Sequence, residues 1–296
     1  AASDVYKRQD PPGAPEEPLG ERVSSSEAPG TTEAHRLDLD AYLLRTGARA
    51  PLAPSAEALA DLQQAHVGAI PFENLDILLG RTISLDLESL QAKLVAARRG
   101  GYCFEQNSLF QAVLEAIGFD VTALAARVRV GATTVRARTH MLLRVDLPEG
   151  PFVADVGFGA DGPVRSLPLR EGPEHWIGPT GHRLRQEDDL WVLEGNTEGE
   201  WADLYAFTLE PQHPIDFEMA NHFTSTYPRS AFVNTLTVQR SWPERRAILR
   251  NRDLTVREGG VAETLTVRDP EHLLEVLDDH FGLVFPPGTR FSRPEF

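Results

Sequence analysis

Apolar side chains recur at helical spacing from about Arg36 onward. Leu39, Tyr42 and Leu43 share one face behind a potential N-cap at Asp38, and Gly47 supplies the stop. A second helix is expected from Ser55, carrying Leu59, Leu62 and His66 and ended by Pro71. A third is expected from Leu87 towards Arg98. A fourth opens near Gly101–Cys103, with Phe110, Val113, Leu114 and Ile117 at the i, i+3, i+4 and i+7 positions of a buried stripe, and Gly118 closes it. After Phe119 the period shortens to that of strands, at roughly 121–130, 139–146, 152–156 and 190–194. Further strands at 235–239, 254–258 and 263–267 and a helix at 270–280, capped by Gly282, make a small α/β terminal unit. The order is therefore a helical block, a mainly β block and an α/β end, an α+β chain with no fixed-period repeat.

Residues 10–34 lack such a pattern. They hold five Pro, three Gly and six acidic residues against Leu19 and Val23 as the only large apolar side chains, too little to offset the entropy of ordering. Ahead of them, Asp4–Gln9 reads like the translated mosaic end of a sequencing transposon, so 1–34 is expected to be a disordered tail that includes a library scar. The divisions that follow are 35–120 for the helical bundle, 121–215 for the β domain and 216–296 for the α/β end.

Composition narrows the function class. With 44 acidic against 29 basic residues the formal charge is −15, which repels phosphate backbones and anionic lipid, so neither nucleic acid nor membrane is an expected partner. No apolar run approaches the ~18 residues of a spanning helix, and a soluble protein is expected. One cysteine, Cys103, excludes an intramolecular disulfide and any multi-cysteine metal site, and a reducing cytoplasm suits it.

That cysteine has an informative setting. In Arg98-Arg99-Gly100-Gly101-Tyr102-Cys103-Phe104-Glu105-Gln106-Asn107 it follows two glycines and starts an amphipathic helix, where free N–H groups and the positive end of the helix dipole favour negative charge on sulfur. A thiolate nucleophile also requires an imidazole, and the imidazole requires an orienting acceptor. His140 heads the apolar strand Thr139–Asp146. Asp155 lies within Phe152–Gly157, an otherwise apolar strand where an unpaired carboxylate is costly. Spacing by itself leaves two readings open, a Cys103–His140–Asp155 triad or unrelated core positions.

Taken together, Arg99–Asn107, the Thr139-His140 strand and Ala154-Asp155-Val156-Gly157-Phe158-Gly159 resemble the cysteine, histidine and aspartate motifs of the arylamine N-acetyltransferase family. The order and the gaps of 37 and 15 residues agree. Ile70–Asp76 and Thr224-Ser225-Thr226 with Pro228 and Phe232 resemble two further signatures, so the match spans about 36–296. The resemblance implies a helical bundle, a β-barrel and an α/β lid around a cysteine-protease-like core. It implies an acetyl-CoA-dependent, ping-pong acetylation of an arylamine or arylhydrazine through acetyl-Cys103, with xenobiotic metabolism as the setting. His140 and Asp155 complete the triad, and no metal takes part. By the same resemblance Phe72 and Phe158 line the acceptor site, and Phe223, Ser225, Thr226 and Ser230 contact coenzyme A. Tyr227 stands where the family often has His, which bears on the cofactor's pose.

Other readings remain beside it. A macrolactam-forming amide synthase of the same superfamily, a thiol hydrolase or transglutaminase with the same triad, and a non-enzymatic binding module are the alternatives. Phe72 also suits a plain core position, and the hydroxyls at 225–230 suit a turn. Glu73 and Asn74 suit either the active site or a brace after Pro71. His66 is expected to be a hydrogen-bonded core residue, while His175, His182, His213 and His222 are expected in loops or on the surface. Gly157–Gly162 fits GxGxxG, yet Pro163 follows in place of a helix, so it reads as a loop. The single RGG element is weak evidence for RNA in so acidic a chain.

Overall fold

The computed structural model describes residues 37–50, 53–159, 161–196 and 199–296, and the predicted tail at 1–34 lies outside the described residues. Helix α1 (Leu39–Thr46) starts where the Asp38 carboxylate accepts the Ala41 N–H at 2.9 Å and stops at Gly47, which takes the left-handed conformation. Ser55 caps α2 (Ala56–Ala69) in the same way. Its His66 is fully buried against Tyr42 of α1. Strand β1 (Phe72–Glu73), α3 (Leu75–Leu78) and α4 (Leu87–Leu90) follow. The third predicted helix departs from expectation, since α4 continues into a π-helical turn at Gln91–Ala96 and Arg98 adopts positive φ. The wider turn ends the helix short of Arg98. Helix α5 (Cys103–Ile117) buries Phe110, Val113 and Leu114 and is closed by Gly118.

Eight antiparallel strands come next: β2 (Asp120–Val128), β3 (His140–Leu147), β4 (Gly150–Ala154), β5 (Leu167–Pro168), β6 (His175–Ile177), β7 (Thr180–Glu187), β8 (Leu190–Asn196) and β9 (Trp201–Phe207). They form one sheet in the order β5-β4-β3-β2-β9-β8-β7-β6. The central pairing joins β2 to β9, with Ala126 opposite Phe207, although these strands are far apart in sequence. Leu124, Leu142, Val153, Leu167, Leu184, Leu193, Leu204 and Phe207, from seven of the eight strands, meet in one buried cluster. The sheet therefore curls around its own apolar face as a nearly closed barrel.

The chain then forms α6 (Pro214–Thr226) and α7 (Ala231–Asn234). Strands β10 (Thr237–Ser241), β11 (Arg245–Arg250), β12 (Asp253–Glu258) and β13 (Val261–Thr266) precede α8 (Pro270–Phe281), which ends at left-handed Gly282. The second sheet runs β1-β10-β11-β12-β13. Leu273, Val276, Leu277 and Phe281 of α8 pack on Val238, Ala247, Leu249 and Leu254 beneath it, together with Leu75 and Leu78 of α3. Residues 72–78, early in the chain, thus share a core with its end. A third buried cluster joins α1, α2 and α5 to the other face of β2 and β3 through Leu59, Phe110, Ala123 and Leu143.

Candidate active site

Three elements converge on Cys103. It is the first residue of α5 and 3% exposed, and its sulfur lies 3.6 Å from the Thr139 carbonyl oxygen. His140, at the start of β3, donates from Nε2 to Asp155 Oδ2 across 2.7 Å, which leaves Nδ1 for the sulfur. Asp155 does not sit inside a strand as expected. It is the residue after β4, where ladder pairing has ended and the carboxylate turns into the site.

Asp155 is fully satisfied. Besides His140, it accepts from Asn107 Nδ2 at 3.0 Å and the Gly157 N–H at 2.8 Å. Burial works to raise its pKa, but His140 and these donors prevail and hold it below the usual carboxylate range. For His140, burial alone would lower the pKa. The adjacent Asp155 carboxylate, followed by the Cys103 sulfur, outweighs it and raises the value to about 10. The imidazole is therefore charged at neutral pH. Tyr205 of β9 lays its ring 4.8 Å from that of His140, and Phe158 meets His140 edge-on at 5.2 Å, so the pair is sealed by aromatic rings.

Several positioning groups carried no individual expectation. Asn107, one turn beyond Cys103, also donates to the Met141 carbonyl at 2.7 Å and accepts the Val156 N–H at 3.1 Å, tying α5 to β3 and to the segment that follows β4. The signal was its i+4 spacing from Cys103. Gln63 of α2 accepts the Asp155 N–H and donates to the Asp155 and Pro163 carbonyls. The close approach demands glycine at 157, where a Cβ would stand 2.6 Å from the Cys103 Cα and from Asn107 Nδ2. Gly100 likewise lies against the Pro71 carbonyl, leaving no room for a side chain.

Beneath the first turn of α5 lies a buried charge network. Arg99 pairs with Glu73 at 2.6 Å and with Asp76 at 3.2 Å, while Lys93 pairs with Asp76 at 2.8 Å and with Glu105 at 2.7 Å. Glu73 and Asn74 prove to be braces. Glu73 also accepts the Leu75 N–H, and Asn74 donates to the Phe232 and Thr235 carbonyls and accepts from the Thr237 N–H. His66 is the expected core histidine: Nε2 donates to Gln106 Oε1 and Nδ1 accepts from Tyr42. Burial lowers its pKa to about 3. His182 is a correction, for it is buried in β7 and bonded to the Asp161 carbonyl at 2.9 Å instead of lying at the surface.

Phe72 is 8% exposed and packs 6.0 Å from the ring of Phe232. Phe72, Phe158, Asp155 and Val156 border a cavity of only about 10 Å³, the space of one water at most. Of the four residues expected to touch coenzyme A, Phe223, Ser225 and Thr226 lie in the last turn of α6, while Ser230 caps α7 at the end of the turn 227–230 that joins the two helices. Phe223 is 44% exposed and stacks on Tyr227 at 4.7 Å. Ser225, Thr226 and Ser230 donate their hydroxyl protons to the carbonyls of Asn221, His222 and Thr224. Helix α6 is tied to the turn that carries Cys103, since the Tyr102 hydroxyl donates to Asn221.

A model of the N-acetyltransferase family matches residues 55–288. The arylamine N-acetyltransferase of Mycolicibacterium smegmatis is 38% identical over 253 residues, covering 83% of this chain and 92% of that protein. Among solved structures, the Nocardia farcinica arylamine N-acetyltransferase superposes with a TM-score of 0.79 at 43% identity, covering 86% of this chain and 92% of the other. The Mycobacterium marinum enzyme in complex with CoA superposes with a TM-score of 0.79 at 37% identity, covering 83% and 93%. Taken with the barrel, the bundle and the helix-borne cysteine, these likenesses place the chain in the arylamine N-acetyltransferase family.

Proposed function

We propose that this chain transfers the acetyl group of acetyl-CoA to the nitrogen of an arylamine or arylhydrazine in two half-reactions through an acetyl-Cys103 intermediate. The observation that carries the reading is His140, held by Asp155 at 2.7 Å, beside a cysteine at the first position of a helix. In the first half-reaction the Cys103 sulfur attacks the thioester carbonyl. Backbone N–H groups at the start of α5 stabilise the oxyanion, and coenzyme A leaves as its thiol with the proton from His140. In the second, the amine attacks acetyl-Cys103, His140 takes the amine proton, and the cysteine sulfur is released. Asp155 keeps the imidazole oriented and supports its charge throughout.

Phe72 and Phe158 form the acceptor wall in this reading, which the edge-on contact of Phe158 with His140 supports. Coenzyme A is assigned to Phe223, Ser225, Thr226 and Ser230. Phe223 supports this best, because the three hydroxyl protons are already committed to backbone carbonyls. A free thiol that cycles through a thioester suits a reducing compartment, and turnover of aromatic amines suits xenobiotic metabolism.

The test is intact mass spectrometry after brief incubation with acetyl-CoA, followed by an arylamine chase. One added acetyl group on Cys103, removed by the amine and absent in a folded Cys103→Ser variant, is the expected result. Acetylation at another residue, or amine turnover of more than about 10% of wild type by the serine variant, refutes the mechanism, since an activated nucleophile is worth several orders of magnitude.

A further inference from the structure

A buried carboxyl group sits in the first turn of the helix that carries the nucleophile. Glu105 is the third residue of α5, 2% exposed, and its Oε2 accepts the N–H of Tyr102, the residue before Cys103, at 3.1 Å. The carboxylate lies so close to Gly101 that a Cβ there would stand 2.8 Å from Oε2. It therefore holds the Gly101-Tyr102-Cys103 turn shut, yet its charge opposes any negative charge on the sulfur two residues away. The π-helical turn before the motif supplies the remedy, because it projects Lys93 inward to 2.7 Å from Glu105 Oε1.

We propose that Lys93 and Glu105 are positioning residues that act as an electrostatic unit, with Glu105 closing the nucleophile's turn and Lys93 cancelling its charge so that the thiolate survives beside it. The idea rests on Cys103 being the nucleophile. The surrounding groups are consistent with a closed balance. Lys93 also faces Asp76, which is shared with Arg99 and Arg81, while Glu73 faces Arg99, and the Tyr102 phenol lies on the far side against Asn221. Burial raises the Glu105 carboxyl to about 7 in spite of Lys93, with the Glu73 charge adding to the rise, whereas the carboxylates around Lys93 lift its ammonium above its ordinary value against the effect of burial.

The proposal separates charge from structure by sign. Glu105→Gln keeps an oxygen for the Tyr102 N–H but leaves Lys93 less neutralised, so the pH at which Cys103 is half-maximally alkylated by iodoacetamide moves down by about half to one unit. Lys93→Met leaves the carboxylate uncompensated, so the midpoint moves up by a similar amount. The double variant returns close to wild type. Opposite shifts with cancellation support the proposal. Shifts in the same direction, or none in a folded Glu105→Gln protein, overturn it and leave the pair as packing alone. Should Lys93→Met fail to fold, Glu105→Gln and the double variant decide. Alkylation requires no acyl donor, so this result stands apart from the acetyl-transfer test, which reads acetylation of the unmodified protein.

Discussion

Asp155→Asn isolates the contribution of one buried charge with little change in shape. In the native site the carboxylate accepts from His140, Asn107 and the Gly157 N–H. An amide oxygen keeps the last two bonds, so the fold should persist. Its NH2 group, however, faces His140 Nε2–H donor to donor. The imidazole then relaxes to the neutral tautomer with its proton on Nδ1, where the sulfur's partner should be. The native environment raises His140 from about 6.5 to about 10. At 1.36 kcal/mol per unit that is a net of roughly 5 kcal/mol in favour of the imidazolium, left after the opposing cost of burial, with Asp155 the first of the groups that raise it. Losing the Asp155 charge lowers the acylation rate by about 10² to 10⁴. Rapid-quench mass spectrometry of a single turnover with acetyl-CoA measures that rate, and imidazole NMR across pH 5 to 11 follows the His140 titration. A folded variant that acylates within about threefold of wild type, with His140 still charged at pH 8, would falsify the assignment of Asp155 as the group that holds the imidazolium.

Two further outcomes follow from packing and proton linkage. Gly157→Ala forces a Cβ to 2.6 Å from the Cys103 Cα, and overpacking of that kind costs about 1–3 kcal/mol, so both the denaturation midpoint and the acylation rate should drop; an unchanged rate would show that the strand end moves without disturbing the cysteine. His66 is buried with a pKa of about 3 against about 6.5 unfolded, so its contribution to stability is complete above pH 6.5 and is lost as pH falls towards 3, amounting to about 2 kcal/mol between pH 7 and 5. Urea denaturation of wild type and His66→Gln at both pH values checks this, with a shallower pH dependence expected in the variant.

Much of the site could be read from the chain because its signals are local. Two glycines before the only cysteine, a helix stripe behind it, a strand headed by a histidine and an apolar segment carrying an aspartate are each visible within ten residues or so, although the end of β4 just before Asp155 was not. Helix α6 was hidden because its pattern is inverted. Asn221 and Thr224 are buried beside Phe217, while Ile215, Met219 and Phe223 face outward, so its apolar spacing points to the wrong face. His182 was misplaced for a similar reason, since a polar ring turned into a barrel looks like a surface residue until its carbonyl partner is known. The β2–β9 pairing and the sharing of β1 between the helical block and the terminal sheet involve residues too distant in sequence for any periodicity to announce.

Strand β1 has a consequence for when the protein becomes competent. Its two residues are held on one side by the Gly101 turn, through the Glu73 N–H to the Gly101 carbonyl, and on the other by β10, with Phe72 opposite Gln239 and Glu73 opposite Val238. During synthesis Cys103 is made more than a hundred residues before β10. Until that later segment arrives, the backbone that seats Cys103 has one edge unpaired, and Asn74 lacks the Phe232, Thr235 and Thr237 groups that anchor it. Alignment of the thiol is therefore among the last events of folding, set by closure of a long loop. A nascent or C-terminally shortened chain carries the cysteine without the β10 pairing that completes its surroundings.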